Sequence, residues 1–325
     1  MTETVLSQLD GRIPVWDTQS LRDRHCPFCG GVGQGRYIRR DGLHVRSCDT
    51  CGAFFVSPAP DEESLGLFYG RYHATHSREI RPGATALLGA DPYADFRIAE
   101  VSTYVNLSGA RVLDVGCGWG ALLYKLGKTG ADVYGVDLDA EAVQFARDDL
   151  HLPNVRIGRI EDCTHMGPFD IIAMLDFIEH PVCPLHAFRV AASVLKPGGL
   201  LMIWTPNALI GADDPQPMLF RVDLEHMQYM SFRTCWYVAQ TLALQIVHME
   251  SLGFPDLDGI ELPRNDPIVS RASSSIVKRL GRKVPGVGRL LHYCRRGVTP
   301  PPADPRRGSY NLFCIFRSCI SPTRP

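Results

Sequence analysis

Apolar and polar positions along the middle of this chain follow two rhythms. Short β-branched runs at 111–115, 132–136, 155–157, 169–175 and 200–204 read as strands, and the stretches between them carry apolar residues at helical spacing. Leu185, Phe188, Ala192 and Leu195 form one such stripe, and Lys196-Pro197-Gly198-Gly199 is placed to end that helix before the next strand. This alternation predicts parallel strands joined by helical crossovers, an α/β doubly wound, Rossmann-like sheet. Beyond position 204 the pattern predicts a helix over 232–244 and two further apolar runs, 245–249 and 311–316, expected to pair in the same sheet. The chain between those runs is too long for a structureless loop in a compact domain, so an insertion over the strand ends is expected at about 254–308.

That insertion alternates apolar residues with Lys278, Arg279, Arg282, Lys283 and Arg289, which predicts amphipathic helices. A lid with a solvated basic face is the favoured role, and an anchor for a phosphorylated acceptor the second. The start of the chain differs: up to about Tyr72 it is rich in Cys, Gly and Arg. The expected division is 1–75 for a small cysteine-bearing unit with its linker and 76–325 for the α/β domain.

Composition narrows the class. The chain has 325 residues, 45% of them apolar, enough to bury a substantial core. A formal charge of −1 gives the whole molecule no electrostatic pull towards nucleic acid or anionic membrane. No apolar run is long enough to span a bilayer, and Met1 to Gln19 lacks a basic start followed by an apolar core, so a cytoplasmic protein is expected. In that compartment the eleven cysteines read as thiols or metal ligands.

Four of the cysteines are organised. Cys26-Pro27-Phe28-Cys29 and Cys48-Asp49-Thr50-Cys51 are two C-x2-C pairs separated by eighteen residues, each followed by a glycine. Such turns present four thiolates tetrahedrally, so Cys26, Cys29, Cys48 and Cys51 are the expected ligands of a structural Zn2+ with no open position for catalysis. Arg36, Arg39, Arg40 and Arg46 lie between the pairs. A solvated ribbon face is expected there, with phosphate contacts as the alternative.

The segment Val112-Leu113-Asp114-Val115-Gly116-Cys117-Gly118-Trp119-Gly120 carries the chemistry: an apolar strand enters a glycine loop that opens a helix. The G-x-G-x-x-G/A pattern of dinucleotide enzymes is formally met through Ala121. Charge points elsewhere, because Asp114 disfavours a diphosphate and suits a ligand bearing an ammonium and a sulfonium. Asp137 falls 21 residues after Gly116, where an acid accepts hydrogen bonds from ribose hydroxyls. Leu138 is placed to pack on an adenine. Glu161 and Asp162 could accept from its amine or could cap a turn.

With these motifs the sequence resembles the class I S-adenosylmethionine-dependent methyltransferases. The likeness is carried in order by Asp114 to Gly120, by Asp137, by Asp170-Ile171-Ile172 and by Leu195-Lys196-Pro197-Gly198-Gly199, across about 101–250. It implies S-adenosyl-L-methionine as cofactor, held by Asp114, Gly116, Cys117, Gly118, Gly120, Asp137, Leu138, Glu161, Asp162 and Asp176. The four-cysteine start, followed by Ser57-Pro58-Ala59-Pro60 and Phe68-Tyr69, is similar to a bacterial subgroup that methylates sugars, glycans and specialised metabolites. Its sugar C-methyltransferases share a Glu-His pair after the fifth strand, matched here by Glu225-His226. They differ in carrying a further C-terminal domain and an aromatic residue near the position of Asp223.

Methyl transfer asks the protein to align an acceptor and manage its proton. His226, oriented by Glu225 or Asp223, is the expected general base, and His180 the second candidate. Met218, Phe220, Met227, Tyr229 and Met230 would line the acceptor pocket. Asp176, Glu179 and His180 also resemble the acid-x-x-Glu-His set with which quinone O-methyltransferases hold a divalent metal. A small-molecule acceptor, with phosphorylated or nucleotide-linked compounds included, is the expected partner. A ribosomal RNA methyltransferase that grips RNA through the ribbon is the alternative.

Overall fold

The computed structural model describes residues 16–39, 41–70, 93–208, 225–252 and 311–319. The expected lid at 254–308, together with Met218, Phe220, Asp223 and Arg40, lies outside the described residues.

The N-terminal unit is a cysteine ribbon. Strands β1 (Leu21–Arg22), β2 (Gln34–Ile38), β3 (His44–Ser47), β4 (Phe54–Val56) and β5 (Ala59–Pro60) are short, and helix α1 (Glu62–Tyr69) follows, capped by Asp61. Two short connections fold the C-x2-C pairs into matching turns: the Gly30 amide donates to the Cys26 carbonyl and the Gly52 amide to the Cys48 carbonyl, both at 2.8 Å. Gly30 and Gly52 both sit at φ 74°, a backbone conformation that residues with a Cβ rarely adopt.

The second unit begins with α2 (Ala94–Val101) and continues through β6 (Arg111–Val115), α3 (Ala121–Gly127), β7 (Asp132–Asp137), α4 (Ala140–Asp148), β8 (Val155–Ile157) and β9 (Phe169–Leu175). It closes with α5 (Pro184–Ser193), β10 (Leu195–Pro206), β11 (Gln228–Tyr229), α6 (Phe232–Thr241), β12 (Leu244–Leu252) and β13 (Asn311–Ser318). Seven strands form one sheet in the order β12-β13-β10-β9-β6-β7-β8. Neighbours are parallel from β10 to β8, whereas β13 runs antiparallel between β10 and β12. This is the doubly wound, Rossmann-like α/β sheet expected from the sequence, and the expected pairing of the last two apolar runs is present.

Both faces of the sheet are buried, which explains the near-continuous apolar runs of its central strands. Leu113, Ile172, Leu201 and Phe316 face one cluster, and Val112, Ile171, Met202 and Phe313 the other. The Lys-Pro-Gly-Gly segment is not the end of the preceding helix. It lies inside β10, where the register shifts between Leu195 and Leu200, and Lys196 Nζ reaches the Asp170 carboxylate at 2.7 Å. Asp170 also accepts from the Arg111 amide, so two of the sequence motifs meet at the foot of the sheet. On the other edge, the His248 ring sits between Glu100 of α2 and Glu250, at 2.8 and 2.7 Å, and fastens α2 to β12.

The two units share a sheet. Strand β11, which follows the fifth strand of the large domain, pairs antiparallel with β4 and completes the order β11-β4-β3-β2.

Candidate active site

The carboxyl ends of β6, β7, β9 and β10 open on a cavity of about 1270 Å3. Ligands bind at this end of an open α/β sheet because helix N-termini and loop backbone converge there. Gly116, Cys117, Gly118, Asp137, Leu138, Glu161, Asp162, Asp176, His180, Glu225 and His226 all line it. The structure therefore brings together most of the residues singled out from the sequence.

The glycine loop is shaped by its own backbone. Gly116 and Gly118 have φ of 75° and 48°, and a Cβ on Gly116 would lie 2.9 Å from the Phe177 ring. Asp137 fixes the loop: Oδ2 accepts from the Gly118 amide and Oδ1 from the Asp139 amide, each at 2.8 Å. Asp139 caps α4 through the amides of Glu141 and Ala142.

Two of the expected cofactor contacts are displaced. Gly120 is the N-cap of α3, pressed towards Leu152 and Ala146, and does not line the cavity. Asp114 is 4% exposed and lies beneath the loop, outside the lining. Burial pushes its carboxyl up to about 7, while nearby Arg97 favours the charged form and Asp137 opposes it. Asp114 thus acts on the site through its field. Burial also raises Asp176, which occupies the left-handed region at φ 47° in the cavity wall. Asp114 and Asp176 both act on the Arg97 guanidinium, and with Asp137 they make this end of the cavity suit a cationic ligand better than a diphosphate.

Asp162 does what the capping alternative foresaw: its Oδ2 accepts from the Arg159 amide at 2.8 Å. Glu161 lies 3.0 Å from His186 Nε2, with both side chains about half exposed.

At the other end of the cavity two histidines face each other, the rings of His180 and His226 being 4.9 Å apart. His180 Nδ1 is 2.5 Å from the hydroxyl of Tyr69, which also donates to the Glu225 carbonyl at 3.1 Å. His226 is 7% exposed. The Glu225 carboxylate stands 4.0 Å from its Nε2, beyond hydrogen-bond reach, so the direct orientation expected of Glu225 is not made here. Glu179 is buried, accepts from the Thr205 hydroxyl at 2.9 Å, and is pushed up to about 8 by burial, opposed by His226.

Glu179, His180 and His226 offer ligand atoms within 4.8 Å of one another, and Asp176 is not in that group. The four ribbon sulfurs also lie within 4.8 Å of one another, with Cys26–Cys51 at 3.5 Å and Cys29–Cys48 at 3.2 Å. Tetrahedral thiolates around zinc stand about 3.8 Å apart, so a small contraction or expansion fits this set to the ion. Its coupled thiols titrate apart: hydrogen bonding from Cys51 pulls Cys26 down to about 5 despite burial.

Sequence reasoning missed three contributors. Tyr69 comes from α1, and only its Phe-Tyr doublet stood out. Arg97 lines the cavity from α2, 4.7 Å over the Trp204 ring, and nothing in its spacing marks it. Arg39 was grouped with solvated or phosphate-binding arginines, yet it is 3% exposed and donates to the His226 carbonyl. That burial removes it from any RNA-binding face.

Fold and site together are those of a Rossmann-like α/β methyltransferase domain. Residues 90–248, just under half of the chain, match the family model described as "Methyltransferase domain". The chain is 38% identical over 133 residues to a ubiquinone biosynthesis O-methyltransferase of Xanthomonas euvesicatoria, covering 36% of this chain and 55% of that protein. A protein of the same name from Xylella fastidiosa is 41% identical over 124 residues, covering 36% and 50%. The chain thus spans about half the length of these relatives. A methyltransferase structure from Archaeoglobus fulgidus overlays on 76% of this chain and 99% of its own, with TM-score 0.49 and 19% identity. Among the described residues no helix is long and apolar enough to cross a membrane.

Proposed function

We propose that this protein transfers a methyl group from S-adenosylmethionine to a hydroxyl of a small-molecule acceptor. One observation carries the reading: a single cavity joins the glycine loop and Asp137 to the His180–His226 pair. Asp137 would take the ribose hydroxyls, Leu138 the adenine face, and Asp114 with Asp176 the ligand's positive charge. S-adenosylmethionine, when bound, supplies an electrophilic methyl carbon on a sulfonium. The acceptor oxygen forms the new bond to that carbon as the carbon–sulfur bond breaks, and the hydroxyl proton passes to a ring nitrogen of His226. Tyr69 holds the neighbouring imidazole of His180 at its Nδ1.

An oxygen acceptor is the choice the named O-methyltransferase relatives support; sugars, glycans and specialised metabolites are the classes suggested by the ribbon. Incubation with methyl-labelled S-adenosylmethionine and catechols, nucleotide-linked sugars or ribosomal RNA tests this. Label should enter a small hydroxyl compound and not RNA. Label in RNA alone would overturn the reading.

The ribbon would hold one structural zinc on Cys26, Cys29, Cys48 and Cys51, with a domain division near residue 75 and a cytoplasmic site of action. Metal analysis should give one zinc per chain. Cys51→Ser should lower Tm by about 10 °C or more, because a closed zinc site contributes directly to folding. An unchanged Tm with no bound zinc would remove the metal from the account.

A second reading places a divalent cation at Glu179, His180 and His226, favoured by their convergence. It expects turnover to vanish after EDTA dialysis that spares the zinc and to return with Mg2+ or Mn2+. Full activity in EDTA assigns the histidines to proton transfer alone.

A further inference from the structure

We propose that two ribbon arginines, the buried Arg39 and the half-buried Arg24, are positioning residues that set the His226 and His180 rings at the acceptor end of the cavity. The inference rests on the reading of that end as the acceptor site, and its geometry comes from hydrogen bonds that the proposed reaction does not use.

Arg39 stands at the end of β2, in the turn leading to β3. Its Nε donates to Asp41 Oδ1 at 3.1 Å, its Nη2 donates to the other oxygen of the same carboxylate, and the two side chains are 1% and 5% exposed. Burying an ion pair costs several kcal/mol per ion before the partner's attraction is counted, so a buried pair is a weak device for stability alone. What this pair adds is direction. With two nitrogens fixed on Asp41, the planar guanidinium aims Nη1 at the His226 carbonyl, 2.5 Å away. The same group faces the Tyr229 hydroxyl, and the Tyr229 ring centre lies 6.0 Å from that of His226.

Arg24 works one residue further along. Its Nη2 donates to the Met227 carbonyl and, at 3.1 Å, to Gln228 Oε1, while Nε and Nη1 donate to the carbonyls of Val56 and Val182 at 2.7 and 3.0 Å. Gln228, orientated by that contact, donates through Nε2 to the carbonyls of Ile178 and Pro181, at 2.9 and 2.8 Å, on either side of His180. The loop bearing His180 and the strand bearing His226 are thereby referenced to one ribbon surface. None of these bonds reaches the glycine loop.

The test is histidine-ring NMR of the full-length protein saturated with S-adenosylhomocysteine, with His226→Asn and His180→Asn assigning the two signals. Arg39→Lys keeps the charge but cannot hold Asp41 at two points and His226 at a third. It should displace the His226 ring signals, since Asp176, Glu179 and Glu225 all lie close to that ring and fix its surroundings. Arg24→Lys should displace His180 in the same way. His151 and His165, remote from the ribbon, should not move, and S-adenosylhomocysteine affinity should stay within about twofold. Superimposable His226 and His180 ring signals in the folded variants would overturn the proposal, and equal displacement of all histidines would reduce the arginines to general stabilisers. Ring displacement in Arg39→Lys together with full turnover in a His226→Ala variant would instead retain the positioning role and discard His226 as base.

Discussion

Replacing His226 with alanine will lower turnover by about 10²- to 10⁴-fold, the range that a positioned general base supplies, while cofactor affinity stays close to wild type. The separation follows from the layout of the cavity. His226 belongs to the end formed by Tyr69, His180 and Glu225, whereas the end proposed for the cofactor is built from Gly116, Gly118 and Asp137. His180→Ala should fall less far, because that ring is tied to the Tyr69 hydroxyl and supports its neighbour. Single-turnover rates with labelled donor decide the matter, and a His226→Ala protein within threefold of wild type in rate removes the base assignment.

Asp137→Ala will show the largest loss of cofactor affinity of any single change on the loop. Its carboxylate already holds the Gly118 and Asp139 amides, so alanine removes the anchor of the loop as well as the proposed ribose acceptor. Charge-assisted hydrogen bonds contribute about 1.5–3 kcal/mol each, and two of them correspond to a weakening of about 10²-fold or more. Asp114→Asn should cost about tenfold at most, because that carboxyl lies below the loop with an affinity for its proton near neutrality. Calorimetry with S-adenosylhomocysteine ranks the two. Equal losses would mean that the buried acid contributes as much as the one in the wall.

The strands and their pairing were legible because each depends on local pattern: two buried faces demand apolar runs, and the crossovers demand helical stripes. The knuckle cysteines and the Gly116–Gly118 loop were legible for a related reason, since left-handed backbone and thiolate spacing leave little choice of residue. What could not be read was which charged residues turn inwards. Arg39 and Arg46 look alike in sequence, and only the β11–β4 pairing shows that the first meets the His226 carbonyl. The depth of Asp114 was hidden in the same way, because two residues' distance from a glycine does not reveal whether a carboxylate lies in the wall of a cavity or beneath it. Tyr69 enters the site from a helix some 110 residues before His180, a contact made by tertiary packing alone.

The completion of the ribbon's sheet by β11 has a consequence for biosynthesis. As the chain leaves the ribosome, the knuckles can close early, but β4 keeps an open flank until residues near 229 have emerged. An N-terminal fragment ending near residue 75 would therefore carry a bare strand edge through Phe54–Val56, a surface on which copies can stick to one another. The ribbon cut out at that point would lack the last strand of its sheet, which is encoded far downstream.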